Sequence, residues 1–213
     1  MNSGAAPDGP WYRGLYAVVW ALARALFRLT VTGRERIPPT GGAVIVANHQ
    51  SWLDPIIVAL ALPRKPAFLA MEELWAMPGV KLAMRVYGPL AIPLQRGAVD
   101  ASALRRALQT LKDGHLLIVF PEGGISPDGH LRPFHRGAAM LAARAHVPLI
   151  PVALAGTSDA LPLGRILPRP RPITARIGTP IEPSGAGRGD LARASAAAEA
   201  EIERLRSQRR RAG

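Results

Sequence analysis

Short apolar segments alternate with helical patterns along most of this chain. The runs AVIVA (43–47), HLLIVF (115–120) and VPLIPVALAG (147–156) are apolar at nearly every position, and residues 101–112 have helical periodicity. Strands without a polar face are typical of a parallel sheet that helices cover on both sides. The alternation therefore predicts an α/β fold: a single domain with a largely parallel sheet flanked by helices.

The other elements have weaker signals. The further predicted strands are AFLAM (67–71), LAIPL (90–94) and ITARIG (173–178), and the further predicted helices are 54–62, 137–146 and about 190–208. Residues 156–189 are rich in Pro, Gly and Arg, which predicts loops. The expected organisation is a disordered stretch at 1–10, an N-terminal helix at 11–32, the α/β domain at 33–208 and a basic tail at 209–213.

The predicted N-terminal helix is amphipathic. Placed at 100° per residue, Arg13, Arg24 and Arg28 share one side, and the opposite side carries Leu15, Val18, Leu22, Leu26 and Leu29. Its uncharged run, 14–23, is shorter than the roughly 20 residues that a membrane-spanning helix needs. We therefore expect a membrane-associating helix that lies in the interface. The alternative is an ordinary helix packed on the domain.

Charge and cysteine content exclude some classes of function. The chain has a net charge of +12 and no cysteine. Disulfides, thiolate nucleophiles and Cys-ligated metals are therefore excluded. A strong positive charge suits binding to an anionic membrane surface, an anionic substrate or nucleic acid. The alternative explanation is a composition biased toward arginine. Because no Cys/His finger spacing and no aromatic-rich basic stripe is present, we expect no nucleic-acid partner.

The segment NHQSWLDP (48–55) carries the first candidate for chemistry. This segment follows directly on the predicted strand 43–47. His49 therefore lies at the carboxyl end of a strand, which is where sites lie in α/β sheets. Asp54 lies at a predicted helix start, where it would serve either as an N-cap or as the group that orients the imidazole. In the second case the other ring nitrogen is left free to act as a base.

Other catalytic templates are missing from the sequence. It contains no phosphate-binding loop ending in Gly-Lys-Ser/Thr, no His-Glu-x-x-His and no Gly-x-Ser-x-Gly. His49 therefore has no obvious protein nucleophile to activate, which favours a base that acts on a hydroxyl of the substrate. We expect neither a metal nor a cofactor.

Four ordered sequence blocks, within roughly residues 40 to 160, resemble the 1-acylglycerol-3-phosphate acyltransferase family (lysophosphatidic acid acyltransferases). The matching residues are Asn48, His49 and Asp54; Arg96 and Gly97; Phe120, Pro121, Glu122, Gly123 and Ser126; and Pro151. The blocks also depart from the family pattern: Gln95 stands where Asp is usual, and Gly124 and Ile125 replace Thr and Arg. The helix entry PFHRGAAMLA (133–142) is similar to the family's as well, with His135 where Lys is frequent.

The resemblance implies an O-acyltransferase of phospholipid synthesis. It would transfer a fatty acyl group from an acyl-CoA or acyl-carrier-protein thioester to the free hydroxyl of lysophosphatidic acid, giving phosphatidic acid. His49 would be the general base and Asp54 the residue that orients it, while Glu122, Gly123 and Ser126 would help to bind the lysophospholipid acceptor. The expected location is peripheral, at the cytoplasmic face of the cell membrane.

The acceptor's headgroup is the point at which the sequence departs most from the family. An isoleucine cannot form the charge-assisted hydrogen bond that the family's arginine gives a phosphate. We therefore expect Arg96 and Arg136 to hold the phosphate in place of residue 125. The alternatives are a different lysolipid acceptor (another lysophospholipid or an acylated amino-acid lipid) and, in another class, a non-catalytic membrane-binding module.

Overall fold

The computed structural model of the protein describes residues 10–71, 90–94 and 101–210. The helices are α1 (Pro10–Phe27), α2 (Asp54–Ala61), α3 (Ala101–Lys112), α4 (Gly137–Ala145), α5 (Thr157–Ala160) and α6 (Arg188–Arg210). The strands are β1 (Thr30–Thr32), β2 (Ala43–Ala47), β3 (Pro66–Met71), β4 (Ala91–Leu94), β5 (Leu116–Val119), β6 (Leu149–Ala155) and β7 (Thr174–Ile177). A short 3₁₀ turn, Arg34–Arg36, follows β1.

In the described part of the chain, seven strands form one sheet in the order β1-β7-β6-β2-β5-β3-β4. The five strands from β6 to β4 are parallel, whereas β7 runs antiparallel to β6 and pairs in parallel with β1. In the register of the central strands, Val46 lies opposite Val119 of β5 and Pro151 of β6. The carboxyl ends of β2, β5 and β6 therefore meet at one edge of the sheet. The predicted α/β fold with a largely parallel sheet is confirmed.

Side-chain alternation along the central strands supplies a core on each face of the sheet. Ile45 and Ile118 point into a cluster with residues of α1 and α2, while Val46 and Leu117 point into a cluster with residues of α3, α4 and α6. Successive side chains of a strand face opposite ways, so an all-apolar strand needs helices on both sides. This explains why AVIVA is buried along its whole length.

The N-terminal helix is shorter than the sequence analysis expected. It ends at Phe27, and Arg28 takes a left-handed conformation with φ of 45°. Residues Thr30–Thr32 then pair with β7, because two β-branched threonines around Val31 suit an extended edge strand. The boundary expected at residue 32 is therefore wrong: Arg28 lies beyond the helix, Leu29 is buried, and the sheet begins before residue 33.

Helix α1 has two apolar faces. Ala23 and Phe27 are buried in the core, with Tyr16, Val19 and Trp20 packed against it. The second face is exposed and consists of Leu15, Val18, Leu22 and Leu26. The helix thus packs on the domain, as the second alternative expected, and it also presents an exposed leucine-rich stripe. Its association with a membrane stays a prediction. Among the residues that the structure describes, no helix has both the length and the hydropathy of a membrane-spanning segment.

The two ends of the chain lie partly outside the described residues. Residues 1–9, expected to be disordered, and residues 211–213 of the expected basic tail are among those that the structure does not describe. Helix α6 itself continues to Arg210, past the boundary expected at residue 208.

Candidate active site

The loop that follows β2 is fixed to the neighbouring strand by a buried asparagine. The Asn48 amide donates to the Leu154 carbonyl at 3.1 Å, and its Oδ1 accepts from the Leu154 N–H at 2.7 Å. The Ser51 hydroxyl donates to the Leu161 carbonyl at 2.8 Å. Asn48 and Ser51 are both buried, so these bonds are shielded from water. Together they hold His49, which lies between them, at the carboxyl edge of the sheet.

His49 and Asp54 form a hydrogen-bonded pair. The ring atom Nδ1 of His49 lies 3.0 Å from Oδ2 of Asp54. The carboxylate is fully buried, whereas 14% of the histidine side chain is exposed. No group among the described residues hydrogen-bonds to the other ring nitrogen, Nε2. A carboxylate that accepts from Nδ1–H fixes the tautomer and leaves the lone pair on Nε2.

The Asp54 carboxylate does not cap its own helix. Asp54 is the first residue of α2, the N-cap position is held by Leu53, and that position makes no side-chain cap bond. Instead Oδ2 accepts from the backbone N–H groups of Gln50 at 2.5 Å and Ser51 at 2.7 Å, besides the imidazole. The other oxygen, Oδ1, is buried and has no hydrogen-bond partner in the described part of the chain. Asp54 therefore shapes the His49 loop, and the alternative of a simple N-cap is excluded.

The imidazole plane is held by an aromatic neighbour. The rings of His49 and Phe120 are stacked, with centroids 4.1 Å apart and planes inclined by 23°. Phe120 follows β5 directly, which places it beside the end of β2 in the parallel sheet. Stacking on one face and the hydrogen bond at Nδ1 leave the ring little rotational freedom, so Nε2 has a defined direction.

Glu122 joins the two loops of the site. Its Oε1 accepts from the His49 N–H at 2.7 Å, and its Oε2 accepts from the Arg132 N–H at 3.1 Å. Burial raises the pKa of the Glu122 carboxyl, and the two backbone N–H groups act against that shift by stabilising the charged form. Because both oxygens are occupied by backbone groups, this carboxylate positions the histidine rather than standing open to solvent.

The remaining predicted binding residues have different surroundings. Gly123 is exposed with φ of 74°, and an added Cβ would lie 3.3 Å from the His135 ring, so a glycine suits this turn. Ser126 is buried, and its hydroxyl lies 2.7 Å both from Oδ1 of Asp128 and from the His130 carbonyl. Its N–H donates to the His49 carbonyl at 2.8 Å. Ser126 thus serves the shape of the loop, and its hydroxyl is turned inward.

Of the two arginines expected at the phosphate, the structure describes one. Arg136 is exposed at the N-cap of α4. The N–H of His135, its neighbour, donates to the Pro121 carbonyl at 2.9 Å, which places the start of α4 beside the Glu122 turn. Arg96 lies outside the described residues, so its role stays a prediction.

Some residues contribute to the site in ways that the sequence did not predict. Arg132 takes part through its backbone N–H, and Phe120 through its ring. Arg206 of α6 donates to the Gly129 carbonyl at 2.7 Å, and its charge lies near enough to Glu122 to favour the ionised carboxyl. The Gln50 amide donates to the same carbonyl at 2.8 Å. No group of three or more metal-binding side chains occurs among the described residues.

Comparisons with known proteins agree with this geometry. A family model described as Acyltransferase matches residues 28–155. The chloroplast 1-acyl-sn-glycerol-3-phosphate acyltransferase of Brassica napus is 32% identical over 139 residues, covering 65% of this chain and 40% of that protein. The alpha form from Mus musculus is 35% identical over 133 residues, covering 62% of this chain and 47% of that protein.

A solved structure is similar over a larger share of both chains. The crystal structure of the 1-acyl-sn-glycerophosphate (LPA) acyltransferase PlsC from Thermotoga maritima matches with a TM-score of 0.73 and 31% identity, covering 96% of this chain and 85% of that one. The family model covers more than half of this chain. The chain therefore belongs to the 1-acylglycerol-3-phosphate acyltransferase family, as the four sequence blocks predict. The matched part spans less than half the length of the Brassica and mouse relatives.

The role of Glu122 leads to a testable prediction. In Glu122→Gln one acceptor oxygen becomes an amide donor, which then faces a backbone N–H and leaves it without a partner. We expect the free energy of unfolding to fall by about 1–3 kcal/mol, the cost of an unsatisfied buried donor. Urea denaturation followed by circular dichroism measures the change. Glu182→Gln, the same substitution at an exposed position, is the control and should cost no more than about 0.5 kcal/mol. Equal stability of the two variants would contradict the bridging role.

Proposed function

We propose that the protein transfers a fatty acyl group from a thioester to the free hydroxyl of lysophosphatidic acid, which gives phosphatidic acid. One observation carries the proposal: the buried Asp54 carboxylate lies 3.0 Å from Nδ1 of His49, and Nε2 has no partner among the described residues. This is the arrangement that a general base for a hydroxyl requires. The family membership and the names of the relatives support the acyl transfer and the acceptor.

In the proposed reaction the acceptor hydroxyl gives its proton to Nε2 as its oxygen attacks the thioester carbonyl. The resulting tetrahedral intermediate collapses with cleavage of the C–S bond, and the imidazolium returns the proton to the departing sulfur. Asp54 keeps Nδ1 protonated throughout and stabilises the transient imidazolium charge. No covalent acyl-enzyme is formed, since the sequence has no cysteine and no Ser or Thr hydroxyl in the described residues bonds to His49.

The acceptor's phosphate is proposed to bind beside the Glu122 turn. Gly123 lacks a side chain and lies exposed, so backbone can approach a ligand closely there. Arg136 lies next to this turn, and Arg96 belongs to the Arg-Gly pair that the family pattern places in the site. The donor is an acyl-CoA or acyl-carrier-protein thioester, since the site needs only a carbonyl activated by a sulfur leaving group.

A second acceptor class is favoured by one residue. Ile125 stands where the family has an arginine, and its apolar side chain offers a phosphate nothing. Another lysophospholipid or an acylated amino-acid lipid is therefore the second candidate acceptor. A non-catalytic membrane module is the weaker alternative, because the histidine and its buried partner keep hydrogen-bond geometry.

We further propose that the protein is peripheral to the cytoplasmic face of the cell membrane. The exposed apolar stripe of α1 carries Val18 and Leu22 at exposed fractions of 58% and 62%. A stripe of this kind on an interfacial helix is stabilised by burial among lipid acyl chains. The lysolipid acceptor is itself a membrane component, so a site beside the bilayer receives it directly.

A lysolipid panel tests the proposed reaction. We expect purified protein to acylate lysophosphatidic acid with an acyl-CoA or an acyl-carrier-protein donor. His49→Ala should lower kcat by about 10²- to 10⁴-fold, the usual contribution of a general base. Asp54→Asn should lower it as well while the fold is kept, because an amide no longer stabilises the imidazolium. His146→Ala, at an exposed residue after α4, is the matched control.

The same panel contains the results that would contradict the proposal. Transfer by His49→Ala within a few-fold of the wild-type rate would remove His49 as the base. Efficient transfer to a different lysolipid, with none to lysophosphatidic acid, would keep the mechanism and move the substrate to the second candidate.

The phosphate contact is tested by separate variants. Arg96→Ala and Arg136→Gln should raise KM for lysophosphatidic acid by about tenfold each, the loss expected for a charge-assisted hydrogen bond, with little change in KM for the donor. Arg144→Gln, at the other end of α4, should leave both constants unchanged. Ile125→Arg should lower KM for lysophosphatidic acid. An unchanged acceptor KM in both Arg96→Ala and Arg136→Gln would show that the acceptor is not held by its phosphate at these residues.

A further inference from the structure

The loop between α5 and β7 exposes large apolar side chains. Residues 161–172 read LPLGRILPRPRP, and the structure leaves Ile166 93% exposed, Leu167 78% and Leu163 40%. Single exposed apolar residues are common on soluble proteins, but adjacent ones at the tip of one loop mark an interaction surface. Neither the proposed reaction nor the family's sequence blocks give these side chains a role.

The exposure is part of an ordered arrangement. The buried residues Ala160 and Ile173 flank the loop. The Arg169 N–H donates to the Ala160 carbonyl at 2.7 Å, and the Ile173 N–H donates to the Phe27 carbonyl of α1 at 2.9 Å. Four prolines within the loop restrict its backbone further. These hydrogen bonds and prolines therefore hold the loop in place with its apolar side chains exposed. A loop that was free to fold back would bury them.

The loop lies between the active site and the N-terminal helix. The carbonyl of its first residue, Leu161, accepts a hydrogen bond from Ser51 of the His49 loop. Ile173, which follows the loop, is hydrogen-bonded to the last residue of α1. Ala160 and Ile173 belong to the core cluster that α1 and α2 cover. Exposed apolar side chains also occur on these two helices and just before α2, at Val18, Leu22, Trp52 and Ile56. The ends of the loop thus lie on the face of the sheet that α1 and α2 cover, and both helices also expose apolar side chains.

The charges on the loop are all positive. Residues 161–172 contain Arg165, Arg169 and Arg171 and no acidic residue, and all three arginines are exposed. Arg169 and Arg171 line a cavity of about 360 Å³ together with Ser158 and two prolines; Asp159 contributes the one carboxylate of its lining. Apolar side chains framed by arginines complement a bilayer with anionic headgroups, where each basic residue near the surface adds to the attraction.

We propose that residues 161–172 form a membrane-contact loop. Leu163, Ile166 and Leu167 insert among the acyl chains of an anionic bilayer, and Arg169 and Arg171 bind the headgroup phosphates. The loop supplies a second attachment besides α1 and holds the His49 site against the lipid surface. The choice of a lipid surface rests on the proposed lysolipid acyltransferase function.

Vesicle binding by the full chain tests this proposal. Co-sedimentation is measured with vesicles of phosphatidylcholine alone and with vesicles containing phosphatidylcholine and phosphatidylglycerol in equal parts. We expect Ile166→Ser combined with Leu167→Ser to weaken the partition constant by about tenfold or more on the mixed vesicles, from the loss of buried apolar surface. Arg169→Gln combined with Arg171→Gln should weaken it by about fivefold per arginine, and on the anionic vesicles alone.

A matched charge control lies on the other side of the sheet. Arg105→Gln combined with Arg106→Gln removes two exposed arginines from α3, which covers the opposite core cluster. This control should bind vesicles nearly as wild type does. All substituted side chains are exposed, so thermal unfolding should be unchanged in every variant.

The outcomes separate the loop from the reaction. Vesicle binding contains no turnover, so its result stands whether or not lysophosphatidic acid is the acceptor. Wild-type partition of the Ile166→Ser, Leu167→Ser variant would overturn the proposal. Unchanged vesicle binding with a loss of transfer from an acyl-carrier-protein donor would also overturn it and assign the surface to the carrier. If the α3 control loses as much vesicle binding as the Arg169→Gln, Arg171→Gln variant, the effect of these arginines comes from net charge, and the proposed headgroup contacts are overturned.

Discussion

The Asp54 carboxylate is the group on which the site depends. A single oxygen, Oδ2, accepts from the His49 imidazole and from the backbone N–H groups of Gln50 and Ser51. These three donors converge on one buried oxygen and fold the loop back, so that the His49 imidazole meets the first residue of α2. The same carboxylate oxygen that shapes the loop therefore also sets the tautomer of the His49 ring.

The rest of the site fixes this loop from outside. Asn48 fastens it to β6 through both hydrogen bonds of its amide, Phe120 stacks on the ring, and Glu122 holds the His49 N–H. These groups come from strands that are neighbours in a parallel sheet, where loops after the strands meet at one edge. A loop clamped on several sides keeps Nε2 pointed in one direction, which the proposed attack of a hydroxyl on a thioester carbonyl requires.

Much of the fold could be predicted from the sequence because its central strands are apolar on both faces. AVIVA and LIPVAL fit little else than buried strands of a parallel sheet, and the block that contains His49 follows AVIVA directly. The strand β1 was missed, since three residues next to a helix give almost no periodic signal. The antiparallel direction of β7 was not predicted either, because the loop before it, 161–172, has no pattern that fixes the path of the chain.

Site residues that lie close together in the sequence could be predicted, whereas contacts between residues far apart in the sequence could not. His49 and Asp54 lie five residues apart, and that spacing alone left two roles open for Asp54: a helix N-cap or the group that orients the imidazole. Only the contacts of its carboxylate with the N–H groups of Gln50 and Ser51 decide between these roles. Glu122 was expected at the acceptor, whereas its partners are backbone N–H groups contributed by two loops. Arg206 has no local motif and reaches the site only because α6 packs along β6.

The most direct test of this account is the protonation of the His49 ring. Ring-nitrogen chemical shifts of protein labelled at its histidines report which nitrogen carries the proton, with His49→Gln used to assign the signals. At a pH where the ring is neutral, we expect a protonated Nδ1 and an unprotonated Nε2, and a loss of that preference in Asp54→Asn. A neutral ring with its proton on Nε2 would contradict the account, because that atom would have no lone pair with which to accept the hydroxyl proton.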